Sequence, residues 1–162
     1  MTLGNSHHSP SIILSIIAAL MLTIIPLPSW LEMFRPEWVA LVIIYWCIAL
    51  PQRVGVGFAW TTGVLLDVLR DSLLGQHALS LTIVAFIAIK LHQRIRLYPI
   101  WQQALSVMVL ITLNQLLILW INGLVGHPSK SWTYWLPSIS SVIFWPLLDA
   151  ILRGMRGRSR VT

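Results

Sequence analysis

The sequence predicts an all-α, polytopic membrane protein folded as a bundle of six transmembrane helices, and three observations carry that expectation. Of 162 residues, 57% are apolar and only 10% are charged, where a soluble domain carries about 25% charged residues. The charges cut the chain into six long charge-free windows, 1–31, 38–52, 54–66, 72–89, 97–129 and 131–148. Nine tryptophans supply amphipathic rings of the kind that collect where hydrocarbon meets headgroups. The mean hydropathy of +0.79 agrees. Strands are the losing alternative, because an open sheet leaves backbone groups unpaired in lipid and the windows lack the alternation of a barrel.

A spanning helix needs about 20 mostly apolar residues, within a range of roughly 17 to 25. The windows therefore place helices near 11–31, 36–52, 54–70, 76–93, 99–123 and 132–152. The first follows residues 1–10, a tail without Lys or Arg and with no cleavage signature after it, so this segment is expected to stay in the mature protein. The second and third are short and joined only by Gln52 and Arg53, which predicts a tight helical hairpin whose ends snorkel or thin the bilayer. The fourth ends in Lys90, Arg94 and Arg96. The fifth carries Asn114 and Gln115 mid-way, where an amide seeks an interhelical hydrogen bond worth roughly 0.6 to 2 kcal/mol. In the sixth, Pro137 and Pro146 are expected to bend the helix. Pro26, Pro28, Pro36, Pro51, Pro99 and Pro128 fall where spans begin or end.

Six spans put both termini on one side. Arg53, Lys90, Arg94, Arg96, Arg153, Arg156, Arg158 and Arg160 fall on the terminal side, and Arg35, Arg70 and Lys130 fall opposite. By the positive-inside rule both termini are cytoplasmic, with residues 153–162 as a basic tail. A net charge of +6 in a soluble chain would suggest nucleic acid; here it sets orientation. Trp30, Trp38, Trp132 and Trp135 map to the outer interface and Trp101 to the inner one, whereas Trp60 and Trp120 lie deeper and call for packing partners. No connection is long enough to hold a second, soluble domain.

The chemistry-bearing residues do not assemble into a reaction centre. The one cysteine, Cys47, allows neither an intrachain disulfide nor a cysteine metal cluster. His7 and His8 lie in the tail, and His77, His92 and His127 sit at loop edges of different depth. No metal-ligand spacing, phosphate-cradling glycine loop or paired intramembrane aspartates occur, so neither enzyme nor cofactor is expected. Asp67 stands out. It is either a functional group near hydrocarbon or an interface partner of Arg70 at i+3. Asp149 reads as a snorkelled pair with Arg153 at i+4. Gly55, Gly57 and Gly63 make the third span small-residue-rich, which suits close packing within the bundle or against a partner helix.

Several stretches carry a resemblance. Phe34-Arg35-Pro36-Glu37-Trp38, Tyr45-Trp46, Leu50-Pro51-Gln52-Arg53-Val54-Gly55-Val56-Gly57, Gly63-Val64-Leu65-Leu66-Asp67, Leu74-Gly75 before Ala78-Leu79-Ser80, Trp101-Gln102-Gln103-Ala104-Leu105 and Trp145-Pro146 follow one another in order. Together they resemble MreD, the rod shape-determining membrane protein family. Arg70-Asp71 departs from the smaller residues expected there, which bears on the role of Asp67. The resemblance implies a six-helix fold similar to that of the substrate-binding components of vitamin transporters. It also implies a non-enzymatic subunit of the elongation machinery in the bacterial inner membrane. Its implied partners are the actin-like filament protein MreB, the single-span protein MreC, the glycosyltransferase RodA and the elongation-specific penicillin-binding transpeptidase.

For such a scaffold the candidate partner contacts are Arg35, Pro36, Trp38, Tyr45, Trp46, Gly55, Gly57, Trp60, Gly63 and Asp67. Lys90, Arg94, Arg96, Arg153, Arg156, Arg158 and Arg160 form a basic cytoplasmic face able to meet an acidic filament or anionic lipid. On this expectation Gly63→Leu weakens MreC recovery and leaves membrane insertion intact. The competing reading is a small-molecule-binding subunit of a transporter, which calls for polar groups converging at one depth. Asp67, His77 and Asn114 look scattered.

Overall fold

A run of ten consecutive buried residues, Val39 to Ile48, organises the structure. A helix that is apolar on every side belongs in the middle of a bundle. A computed structural model describes residues 9–32, 34–51, 54–70, 75–126 and 135–161, with side chains described from Ser11 to Gly154. It is all-helical: α1 (Ser9–Ile24), α2 (Ser29–Glu32), α3 (Trp38–Ala49), α4 (Val56–Leu69), α5 (Gln76–Lys90), α6 (His92–Leu97), α7 (Ile100–Val125) and α8 (Leu136–Val161). α3 is the centre, packed against α1, α5, α6, α7 and α8.

The six predicted spans correspond to α1, α3, α4, α5, α7 and α8, and two short helices are added. The first span stops at Ile24, ahead of Pro26 and Pro28, and α2 follows as a separate turn. α6 occupies the connection between the fourth and fifth spans. α7 and residues 136–154 of α8 are long and apolar enough to cross a bilayer, while α1, α3, α4 and α5 are shorter apolar helices. At 1.5 Å per residue, the 12 residues of α3 extend only about 18 Å, well under the roughly 30 Å hydrocarbon core.

Two further expectations are corrected. α3 and α4 do not make a hairpin; α4 packs chiefly on α5. Pro137 lies in the first turn of α8, where a missing N–H costs nothing, whereas Pro146 is inside the helix and denies a donor to the Val142 carbonyl. α8 runs on through the basic tail to Val161.

Helix faces sort by neighbour. On α1, Ser11, Ile12, Ser15, Ile16, Ala19 and Thr23 turn inward, and Ile13, Leu14, Ile17, Met21 and Leu22 turn out. Trp46 on α3 donates its indole N–H to Ser15 Oγ at 2.8 Å, tying α3 to α1. Tyr45 stacks edge-on against Trp46 and tilts toward Trp145 of α8, with centroids 5.2 and 6.1 Å apart. Gln115 accepts from Ser138 Oγ between α7 and α8, and Gln76 donates to Asn122 at 2.9 Å between α5 and α7. The amide expected to bridge helices at Gln115 does so; the Asn114 side-chain oxygen has no partner among the described residues.

Candidate functional site

The closest helix contact is between α4 and α5. A Cβ built on Gly63 would lie 2.4 Å from the Ala78 Cα and 2.8 Å from the His77 carbonyl oxygen, so only glycine fits. This approach carries Asp67, one turn on, to the start of α5. α5 needs help there: its N-cap is Gly75, at φ +98°, which has no side chain to offer its orphan amides. Asp67 supplies it. Its Oδ1 accepts the His77 N–H at 2.9 Å and bonds His77 Nδ1 at 2.7 Å, while Oδ2 accepts from the Gly75 N–H at 2.9 Å and the Ala78 N–H at 3.4 Å.

Asp67 is therefore paired with His77 rather than with Arg70, and the two residues expected to be scattered are joined. Arg70 Nη1 lies 3.4 Å from His77 Nε2. Because the guanidinium can only donate, Nε2 is the acceptor and Nδ1–H donates to the carboxylate. Asp67 and His77 are 1% and 4% exposed. A charged group this deep is stable because its lone pairs are filled by fixed donors. The missed partner had a trace in the sequence: a helix opening on Gly75-Gln76-His77, without a local Ser, Thr, Asp or Asn cap, must be capped from elsewhere.

The other proposed contacts divide between inside and outside. Pro36, Tyr45, Trp46, Gly63 and Asp67 are buried, packed inside the chain. Trp38 is half-buried, edge-on to Phe144 at 5.3 Å. Arg35 donates to the Thr23 and Ile25 carbonyls at the end of α1 and lies 3.8 Å from Glu32. Gly55, Gly57 and Trp60 remain open: a Cβ on either glycine meets nothing within 4 Å, and Trp60 is 54% exposed. Trp60 and Trp120, expected to need packing partners, instead face outward.

At the opposite end of α5, Lys90 lies 5.4 Å from the centroid of the Phe86 ring, and Arg94 is exposed. Arg96 donates through Nε and Nη2 to the Ile48 and Ala49 carbonyls at 2.7 and 2.8 Å. It thus neutralises the carboxyl end of the central helix, where the backbone dipole is negative. Arg153 pairs with Asp149 at 3.0 Å, as expected. The side chains of Arg156, Arg158 and Arg160, and residues Arg53, Asp71, His127, Lys130 and Trp132, lie outside the described residues. Among the described residues, no three His, Cys, Asp or Glu side chains gather as metal ligands.

The sequence profile described as rod shape-determining protein MreD matches residues 6–155. The chain is similar to the rod shape-determining protein MreD of Haemophilus influenzae, 28% identical over 145 residues that cover 90% of each chain. No solved structure matches it. A profile match over nearly the whole length, on an all-helical apolar bundle, places this chain in the MreD rod shape-determining family of non-enzymatic helical membrane proteins associated with the elongation machinery.

Proposed function

We propose that this protein is an inner-membrane scaffold of the elongation complex, coupling MreB filaments and MreC to peptidoglycan synthesis by RodA and the elongation-specific transpeptidase. The observation that supports it is the outward face of α4. Gly57, Trp60, Thr61, Leu65 and Val68 recur at helical spacing on the side turned away from α5, and all are exposed. Gly57 and Thr61 are one turn apart and exposed, small residues next to Trp60 against which a single partner helix can pack closely. The span of MreC is the partner this face suits.

In this reading both termini are cytoplasmic, and Lys90 and Arg94 present the filament-facing charge. Arg96 and Arg153 are tied to carbonyls and to Asp149 and contribute less. The test is affinity purification of the tagged full chain from its own membrane. Gly57→Leu adds bulk to this open face without touching the α4–α5 contact, and is expected to lower MreC recovery about tenfold at an unchanged membrane level. Full MreC recovery with Gly57→Leu would overturn α4 as the docking face. Gly63→Leu is a poor probe, since it breaks the fold itself.

A further inference from the structure

Two cross-links set a depth scale for the bundle. Gln76 donates to Asn122 at 2.9 Å near one end, and Gln103 donates to the Ile95 carbonyl at 3.1 Å near the other. From Gln76 to Ile95 and from Gln103 to Asn122 the chain advances by the same 19 residues, so α5 with α6 runs antiparallel to α7 and in step with it. The helical path passes through Leu91, whose N–H reaches the Ile87 carbonyl and whose carbonyl takes the Ile95 N–H, both at 3.0 Å. In this register Lys90 lies level with Met108, and Gln93 level with Leu105.

α7 marks how far hydrocarbon reaches on its own side. Trp101 and Trp120 are 61% and 62% exposed, and the helix holds them about 28 Å apart, close to the roughly 30 Å of a bilayer core. Between them the exposed side chains are Leu105, Met108 and Val109. α8 agrees, since the bond from Ser138 to Gln115 brings the exposed Ile151 level with Gln102.

The side formed by α4 and α5 ends sooner. Lys90 and Arg94 are exposed, and Lys90 stands about 10 Å inside the level of Trp101. A lysine at the end of a membrane helix ordinarily reaches out toward the headgroups. Lys90 turns the other way, with its Nζ 5.4 Å from the centroid of the Phe86 ring, one turn further in. α4 stops short as well. Gly63 sits on Ala78 and Asp67 on His77, so Val56, the first residue of α4, comes level with Ala85 before Lys90 is reached. Tilt does not remove the step, because α5–α6 and α7 are bonded at both ends and lean together.

We infer that the leaflet at the Lys90 end dips by about 10 Å along α4 and α5, bringing lipid headgroups in to Lys90 and Arg94, while the bilayer keeps its full thickness against α7 and α8. An exposed ammonium held in hydrocarbon is far more costly than a local thinning of the bilayer. At the other end the two sides are flush, since Gln76 and Asn122 are bonded directly, so the deformation belongs to one leaflet. The dip keeps both cations at the membrane surface, where charge that meets a filament has to stand.

The test is spin-label accessibility of the full chain, on a Cys47→Ala background, in dioleoylphosphatidylcholine vesicles doped with a lipid whose headgroup carries a nickel chelate. Nitroxides on Gln93→Cys and Leu105→Cys compare the two sides at one depth, and those on Leu91→Cys and Met108→Cys repeat the comparison further in; all four positions are exposed. Headgroup nickel is expected to collide about tenfold more often with the labels at 93 and 91 than with those at 105 and 108, because a charged chelate avoids hydrocarbon. Lys90→Leu combined with Arg94→Leu should bring the label at 91 most of the way to the value at 108. Equal collision rates on the two sides would overturn the dip, and unchanged access at 91 in the double variant would overturn its assignment to these cations. Access for a soluble nickel complex without access for headgroup nickel would overturn it too, as the signature of a watery crevice under a flat leaflet. Labels at 91 and 93 closed to nickel and oxygen alike, with spin–spin broadening, would overturn it in favour of a second copy covering this face.

Discussion

Asp67 and His77 meet through a single oxygen: Oδ1 of the carboxylate takes both the backbone N–H and the ring Nδ1 of the histidine, at 2.9 and 2.7 Å. A residue near the end of α4 thereby serves as the N-terminal cap of α5. The pair locks the two helices in the register that brings Gly63 onto Ala78.

The bonds of Asp67 are unequal in consequence. Asp67→Ala strips the backbone N–H groups of Gly75, His77 and Ala78 of their acceptor, whereas His77→Ala leaves all three paired. Hydrogen bonds to a charged group are worth about 1.5 to 3 kcal/mol. Asp67→Ala should therefore destabilise the chain by roughly 2 kcal/mol or more, and His77→Ala by less. Thermal unfolding in detergent measures both; a larger loss for His77→Ala would mean that the ring, not the cap, holds the contact.

The glycines of α4 should separate cleanly. Gly63→Ala drives a methyl into backbone atoms at 2.4 and 2.6 Å, which cannot rotate away, and overpacking of this kind costs about 1 to 3 kcal/mol. Gly57→Ala enters open space and gains helix propensity of up to about 1 kcal/mol. The melting temperatures of the two variants should therefore move in opposite directions.

The positions of α1, α3, α4, α5, α7 and α8 were legible because charges are too costly to scatter through a membrane helix. Which helix face meets which neighbour was not. In a chain apolar on nearly every face, lipid and core demand the same residues, so Trp60 and Trp46 look alike in sequence although one is 54% exposed and the other fully buried. The same holds for α4, which pairs with α5 and not with its predecessor. Contacts such as Arg96 to Ala49, 47 residues apart, leave no local periodicity. Asp67 was visible as an anomaly, but its partner lies across a connection whose path spacing does not fix.

Arg96 should be hard to replace. Its planar fork reaches two successive carbonyls, a geometry that one ammonium cannot reproduce. Cys47, fully buried two residues before Ala49, reports on this end of α3. With Arg96→Ala, maleimide labelling of Cys47 should speed up about tenfold as the last turn opens more often. Arg96→Lys should restore only part of the protection. Unchanged labelling in both variants would show that packing alone closes the end of α3.

Ser15 and Trp46 allow a sharper test of how a polar contact is valued inside the bundle. The Ser15 hydroxyl donates to the Ile12 carbonyl at 2.8 Å and accepts the Trp46 indole N–H at 2.8 Å. Ser15→Ala leaves that N–H buried with no acceptor, a loss of about 1 to 3 kcal/mol. Trp46→Phe removes the donor and leaves the hydroxyl still bonded to Ile12, so its cost comes from lost ring volume. In Ser15→Ala/Trp46→Phe no orphan remains. The double variant should then be more stable than the sum of the two single losses allows, with a coupling of roughly 0.6 to 2 kcal/mol. Additive losses in the unfolding free energies would mean that the indole finds another acceptor when Ser15 is gone, and that the bond does not fix α1 against α3.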